Sequence, residues 1–241
     1  MDPVINIQER IGKTVGRRRI PNPLRTTDTQ VTEAERWRTT FGGIGVRKGL
    51  YRFKTHEEAN ASWMDELILS LKAASASGDA LRPRGPTLTD LVALCRELNA
   101  RKSRYLVCGG FAIRAAGYAR SVSDVDLLIA HSTENEKRVF ESLETLPDKA
   151  ALGLKSGDAS EYTVVRVADE ITVDLVASAS GIRFADAESE IVYREIDGVR
   201  IPFASPLLLW RMKRNTHREK DQPDLYFLRR LLESQGIAIP E

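Results

Sequence analysis

Tyr105-Leu106-Val107-Cys108-Gly109-Gly110-Phe111-Ala112 and, after thirteen residues beyond Gly110, Asp124-Val125-Asp126-Leu127-Leu128-Ile129 decide how this chain is read. The first stretch is a short buried strand broken by Gly109-Gly110, with a helical stretch over Phe111–Gly117. The second is a strand over Val125–Ile129. Residues two apart on a strand share a face, so Asp124 and Asp126 project together while Val125 turns to the core. Adjacent carboxylates repel unless a cation holds them, and oxygen-only ligation suits Mg²⁺. A third acid stands in Val173-Asp174-Leu175, also between apolar neighbours on a predicted strand. If that strand lies beside Val125–Ile129, the three carboxylates converge and can hold two Mg²⁺ ions. Gly109-Gly110, after a strand and before a helix, lets backbone and helix N–H groups approach a phosphate.

Outward from this segment the pattern is mixed. Thr87 caps a helix with the apolar stripe Leu88, Leu91, Val92, Cys95 and Leu98. Glu134–Leu146 reads as an amphipathic helix, and Tyr162–Val167 and Ile171–Val176 as paired strands. Asp197-Gly198 between Ile191–Ile196 and Val199–Phe203 signals a hairpin. Ser205-Pro206 opens a helical section toward Leu232, with a break near Asp221–Pro223. Thr55-His56-Glu57-Glu58 is a capping box opening a further helix, near 56–74. The fold class expected is α+β: a mixed sheet flanked by helices, with a C-terminal helical section and a basic N-terminal extension. The expected division is an extension over 1–74, a linker over 75–86 rich in small residues and proline, and the main domain over 87–241.

The chain has 241 residues, 42% hydrophobic and 29% charged, enough for a substantial core. No apolar run approaches the roughly 18 residues of a membrane span. Met1-Asp2-Pro3 carries no secretory signal pattern, and Cys95 and Cys108 are too few for a disulfide framework or a cysteine zinc cluster. The expectation is a cytoplasmic protein without a membrane partner. The net charge of +2 conceals an asymmetry: residues 1–55 hold twelve Lys/Arg, Arg17-Arg18-Arg19 among them, against five Asp/Glu. A basic arm on a mildly acidic body seeks anions, or neutralises the body in cis. Trp37, Tyr51 and Phe53 in that region offer bases a stacking surface or pack the arm onto the body.

The apolar-Gly-Gly segment, the Asp-apolar-Asp-apolar strand and the later apolar-Asp-apolar resemble the polymerase-β-type nucleotidyltransferase superfamily. Arg120, Ser123-Asp124-Val125-Asp126, the run from Ser205 to Lys213 and Arg218-Glu219-Lys220-Asp221-Gln222-Pro223-Asp224 are most similar to the AbiEii-like toxin nucleotidyltransferases of type IV toxin–antitoxin systems. The resemblance covers about residues 87–233. It departs from the family at Val122, where a Thr is frequent. It implies Mg²⁺ on Asp124 and Asp126 with Asp174 completing a catalytic trio. It further implies nucleotide contacts from Gly109, Gly110, Arg120 and Ser123, Lys213 approaching the triphosphate, and Lys220, Asp221 and Asp224 walling the nucleotide or acceptor. By this likeness an NMP passes from an NTP to tRNA or another RNA in a toxin-like or phage-defence enzyme with an antitoxin partner. Two other readings stay open: the same chemistry on a small molecule of the aminoglycoside type, or a regulatory nucleic-acid-binding protein with an antitoxin-like N-terminal segment. From the residues alone, Lys213 and Arg218 also fit solvated helix charges, and Asp221 and Asp224 also fit helix caps.

Overall fold

The computed structural model of the chain describes residues 46–72, 82–216 and 218–239. The arm over 1–45, with Arg17-Arg18-Arg19 and Trp37, the linker residues 75–81 and His217 lie outside the described residues.

Strand β1 (Gly49–Phe53) leads into helix α1 (His56–Lys72). As the sequence implied, the Glu58 N–H donates to Thr55 Oγ1 at 3.1 Å and the Thr55 N–H donates to Glu58 Oε2 at 3.4 Å. Helix α2 (Leu88–Ala100) is opened by a second such box, Thr87 with Asp90, and buries Leu91, Val92, Leu94, Cys95 and Leu98. Then follow β2 (Tyr105–Val107), α3 (Gly109–Ala116), β3 (Val125–Ile129) and α4 (Thr133–Leu143). After the short α5 (Asp158–Glu161) come β4 (Val164–Ala168), β5 (Thr172–Val176) and the short α6 (Phe184–Ala187). The hairpin β6 (Ile191–Ile196) and β7 (Val199–Ala204) turns at Asp197 and Gly198, with φ of 49° and 73°. Both values are left-handed, as the favoured two-residue hairpin turn demands. Helices α7 (Pro206–Lys213) and α8 (Gln222–Ser234) end the chain, separated by the break expected near Asp221.

The seven strands form one sheet in the order β1-β4-β5-β3-β2-β7-β6. The pairs β3–β5 and β2–β7 are parallel and the others antiparallel, so the fold is α+β with a mixed sheet and a C-terminal helical section. Every residue of β2, β4 and β5 is buried, because helices cover both faces there. Leu106, Leu127 and Leu128 are fully enclosed. At roughly 1.5–3 kcal/mol per buried side chain, such anchors fix the strand ends firmly enough to hold like charges together.

Of the residues that the sequence division set apart from the main domain, Gly49–Phe53 enter this same sheet and the helix His56–Lys72 follows directly from it. β1 pairs along its whole length with β4, and Phe53 packs with Ala59 of α1 and Val164 of β4. The strand escaped sequence reading because Gly49-Leu50-Tyr51-Arg52-Phe53 shows little alternation. Its side chains are half-buried on both faces of a sheet edge. Tyr51 and Phe53 stack with ring centroids 6.3 Å apart, so here these aromatics serve packing. Among the described residues no helix is long and apolar enough to cross a membrane.

Candidate functional site

The parallel pairing of β3 with β5 sets Asp126 directly opposite Asp174, and Asp124 lies two residues before Asp126 on the same side. One carboxylate oxygen from each of the three lies within 4.8 Å of the others. The next strand continues the row. β4 sets Arg166 opposite Asp174, and the guanidinium grips it bidentately, Nε to Oδ1 at 2.8 Å and Nη2 to Oδ2 at 2.7 Å. The third guanidinium nitrogen, Nη1, donates to the Ala59 carbonyl of α1 at 3.3 Å. Burial, then Asp124 and Asp174, push the Asp126 carboxyl up to about 7, and burial and Asp174 raise that of Asp124. Burial opposes the charge of Arg166, but Asp174 and then Asp124 and Asp126 more than compensate and hold its proton tighter than usual. Ser123 Oγ donates to Asp124 Oδ1 at 3.1 Å.

The glycine turn is pressed against these acids. The Cys108 N–H donates to the Asp126 carbonyl at 3.0 Å, and Gly109 follows with φ of +58°. A Cβ at Gly109 would sit 1.7 Å from Asp126 Oδ2, so only glycine fits. A Cβ at Gly110 would meet Val122 Cγ1 at 3.1 Å, which makes Val122 the wall behind the turn. Cys108 stands at the N-cap of α3 without a side-chain cap, and its buried thiol is pushed up by burial and by Asp126. It is a small core residue at the rim of the site.

The C-terminal section supplies a second charged cluster. Ser205 caps α7, its Oγ accepting from the Leu208 N–H, which directs the helix toward the acids. Lys213 Nζ donates to Asp221 Oδ1 and lies 3.2 Å from Asp224 Oδ2. Asp221 Oδ2 accepts from Thr216 Oγ1 and Arg218 Nε, each at 2.8 Å, and Asp224 is also bound by Arg120. Asp221 occupies the N-cap position of α8 but makes no capping bond; its oxygens are spent on the cations. Against burial, which acts upward, Lys213 and Arg218 hold its carboxyl below the ordinary value. Lys213 is itself buried, so it is no solvated helix charge. Lys220 differs from its neighbours: among the described residues it makes no ion pair within 4 Å, its Nζ lies 5.7 Å from the Trp63 ring, and Asp124, Asp221 and Asp126 act on it only through space. Burial and then Arg218 lower its ammonium.

One cavity of about 470 Å³ receives all of this. It is lined by Asp124, Asp126, Asp174, Gly109, Gly110, Arg120, Ser123, Lys213, Lys220 and Asp221, whereas Asp224, also expected from the resemblance to wall the site, stands behind this lining on Lys213 and Arg120. Arg166 and the α1 residues His56, Asn60 and Trp63 also line it and were not foreseen. Arg166 left a signal: a lone arginine inside Val164-Val165-Arg166-Val167 must find a buried carboxylate on a neighbouring strand. The α1 residues left none, because their contact depends on α1 lying over the sheet. His56 Nε2 donates to the Ser178 carbonyl at 2.7 Å.

The donor set fits a hard divalent cation: three oxygen ligands gathered within 4.8 Å, with no nitrogen or sulfur among them. No family model and no curated protein matches the sequence. Among solved structures the chain is similar to an antigenic nucleotidyltransferase-like protein from Paracoccidioides brasiliensis, at 14% identity and a TM-score of 0.40, over 60% of this chain and 74% of that one. It is also similar to a candidate nucleotidyltransferase from Thermotoga maritima, at 14% identity and a TM-score of 0.34, over 62% of this chain and 88% of that one.

Proposed function

We propose that the protein is a Mg²⁺-dependent nucleotidyltransferase that moves an NMP from an NTP to a hydroxyl of RNA, tRNA foremost, in a toxin-like role. The observation that carries this reading is the Asp126–Asp174 register, with Asp124 beside it and the Gly109 backbone pressed against Asp126. Asp124, Asp126 and Asp174 would hold the metal, which when bound supplies charge neutralisation at the phosphates and activation of the attacking oxygen. The residues of the chain do the rest by position. The Gly109-Gly110 turn brings backbone N–H groups of the α3 start within reach of phosphate oxygens. Lys220, with no carboxylate in contact among the described residues, is the cation left to meet a triphosphate. Lys213, committed to Asp221 and Asp224, instead fixes the wall from which Lys220 projects. Arg166 keeps Asp174 oriented through its bidentate ion pair.

The choice of a polyanionic acceptor rests on the twelve basic residues among the first 55. The test is incubation of the protein with Mg²⁺, each labelled NTP, and either total RNA or a pool of small amino sugars. Label in RNA, released pyrophosphate and loss of both on Asp126→Ala are the expected results. Label in the amino sugars alone would replace the acceptor. Absence of transfer, together with salt-dependent RNA binding that survives Asp124→Ala, would replace catalysis by a regulatory binding role.

A further inference from the structure

The metal-facing and phosphate-facing sides of the cavity are accounted for by the sheet, the glycine turn and the C-terminal helices. The fourth side, α1, is not. Asn60 lines the cavity, and its Oδ1 is a buried acceptor with no hydrogen-bond partner among the described residues. An unsatisfied buried acceptor costs about 1–3 kcal/mol, so it persists where a ligand donor completes it. Trp63, three residues on and therefore on the same helical face, also lines the cavity and offers an indole ring beside the Lys220 ammonium. Met64 adds an apolar surface, and no α1 residue brings a carboxylate into the cavity. The wall is held at a fixed distance from the acids, because Arg166 bonds Asp174 with one edge and the Ala59 carbonyl with Nη1.

We propose that α1 is a nucleobase-binding wall, with Asn60 pairing to the base edge and Trp63 stacking on its face. An amide presents a donor and an acceptor side by side, which matches the adjacent N–H and acceptor atoms on the edge of a base. Stacking on an aromatic side chain contributes about 1–3 kcal/mol per base. A polycationic amino sugar would be met by carboxylates along this wall, and none of the α1 acids Glu57, Glu58, Asp65 and Glu66 lines the cavity. The inference rests on the nucleotidyltransferase reading and adds to it the part of the chain that recognises the base.

The experiment is calorimetric titration of the full chain, with Mg²⁺, against each NTP, inorganic tripolyphosphate and a short ribo-oligonucleotide. Asn60→Ala and Trp63→Ala should each weaken the preferred NTP about tenfold, the equivalent of about 1.4 kcal/mol, and leave tripolyphosphate unchanged. Trp63→Phe should retain most of the affinity, and it decides the stacking role if Trp63→Ala fails to fold by circular dichroism. A loss confined to the oligonucleotide would assign the wall to the base of the acceptor. Unchanged affinity of Asn60→Ala for both NTP and oligonucleotide, or an equal loss for tripolyphosphate, overturns the proposal while the nucleotidyltransferase reading stands. Wild-type protein that binds neither NTP nor tripolyphosphate removes that reading and the base wall with it.

Discussion

Asp126 and Asp221 line the same cavity, yet their surroundings push them in opposite directions. Around Asp221, three cations (Arg120, Lys213 and Arg218) share two carboxylates, Asp221 and Asp224. Around Asp126, three carboxylates share one guanidinium in contact, that of Arg166. The first cluster is closed: every oxygen of Asp221 has a donor, and its carboxyl lies below the ordinary value. The second is open, and its carboxyl rises to about 7. A cluster complete within the chain holds the fold, whereas one with surplus charge needs a ligand to complete it. Buried acids alone do not distinguish the two; the count of their partners does.

The largest effect should come from breaking the open cluster. Asp124→Ala or Asp126→Ala should lower the rate of labelled-NTP transfer at least about a hundred- to thousandfold, as removal of a group that stabilises developing charge does. Circular dichroism should show the fold retained. Transfer at the wild-type rate would place the chemistry elsewhere.

Breaking the closed cluster should act on stability instead. Asp221→Ala leaves Arg218 without its partner and Lys213 with Asp224 alone, a loss of about 3 kcal/mol, or roughly 6–12 °C in Tm. Lys213→Ala should likewise lower Tm, read by the same melting curve. The resemblance implied a triphosphate ligand whose removal spares the fold, and the residues alone also fitted a solvated helix charge; the buried ion pairs of Lys213 predict a loss of stability instead. An unchanged Tm for both variants would dissolve the distinction between the clusters.

Lys220→Ala sharpens it from the other side. With no carboxylate partner to orphan, the change should raise KM for NTP about tenfold and move Tm by less than about 2 °C. A large fall in Tm would mean that Lys220 belongs to the closed cluster.

The smallest effect is the most diagnostic. Asp126 takes its proton near pH 7 in the fold but near 3.8 when unperturbed. The metal-free folded state therefore binds more protons than the unfolded chain between those values, and stability falls as pH rises through them. Asp126→Asn removes that loss. Its metal-free Tm should exceed the wild-type value by several degrees at pH 8, with the gap narrowing steadily on acidification and vanishing only below about pH 4. Mg²⁺ should close the gap by raising the wild-type Tm at pH 8.

The acids were legible in the sequence because strand period is simple: Asp126 and Asp174 each sit between apolar neighbours on short strands and Asp124 lies two residues before Asp126, whereas the parallel register that joins the strands was only a condition of that reading. Gly109-Gly110 was legible as a turn, but the reason for glycine, the 1.7 Å approach to Asp126, arises only once the α3 start packs on β3. Lys213 and Lys220 look alike in sequence, and helix phase with respect to Asp221 and Asp224 separates them. β1 and the cavity face of α1 were invisible because a half-buried edge strand and a helix laid across a sheet obey no local period.

The register that unites Asp126 with Asp174 also sets when the site comes into being as the chain folds. β4 and β5 are joined by a tight connection and pair locally, so that hairpin can form early and carry Asp174 already clamped by Arg166. Asp124 and Asp126 arrive only when the hairpin docks on β3 by a parallel, long-range pairing, a contact whose loop-closure cost makes it slow. Metal affinity thus appears at the docking step and not before. In stopped-flow refolding, Mg²⁺ should slow unfolding and leave the early folding phases untouched. Acceleration of the earliest phase by Mg²⁺ would show the acids gathered before the sheet is complete. A nascent or truncated chain lacking β5 would lack Asp174 and with it the three-carboxylate cluster, so the proposed nucleotide chemistry would be withheld until most of the sheet has been made.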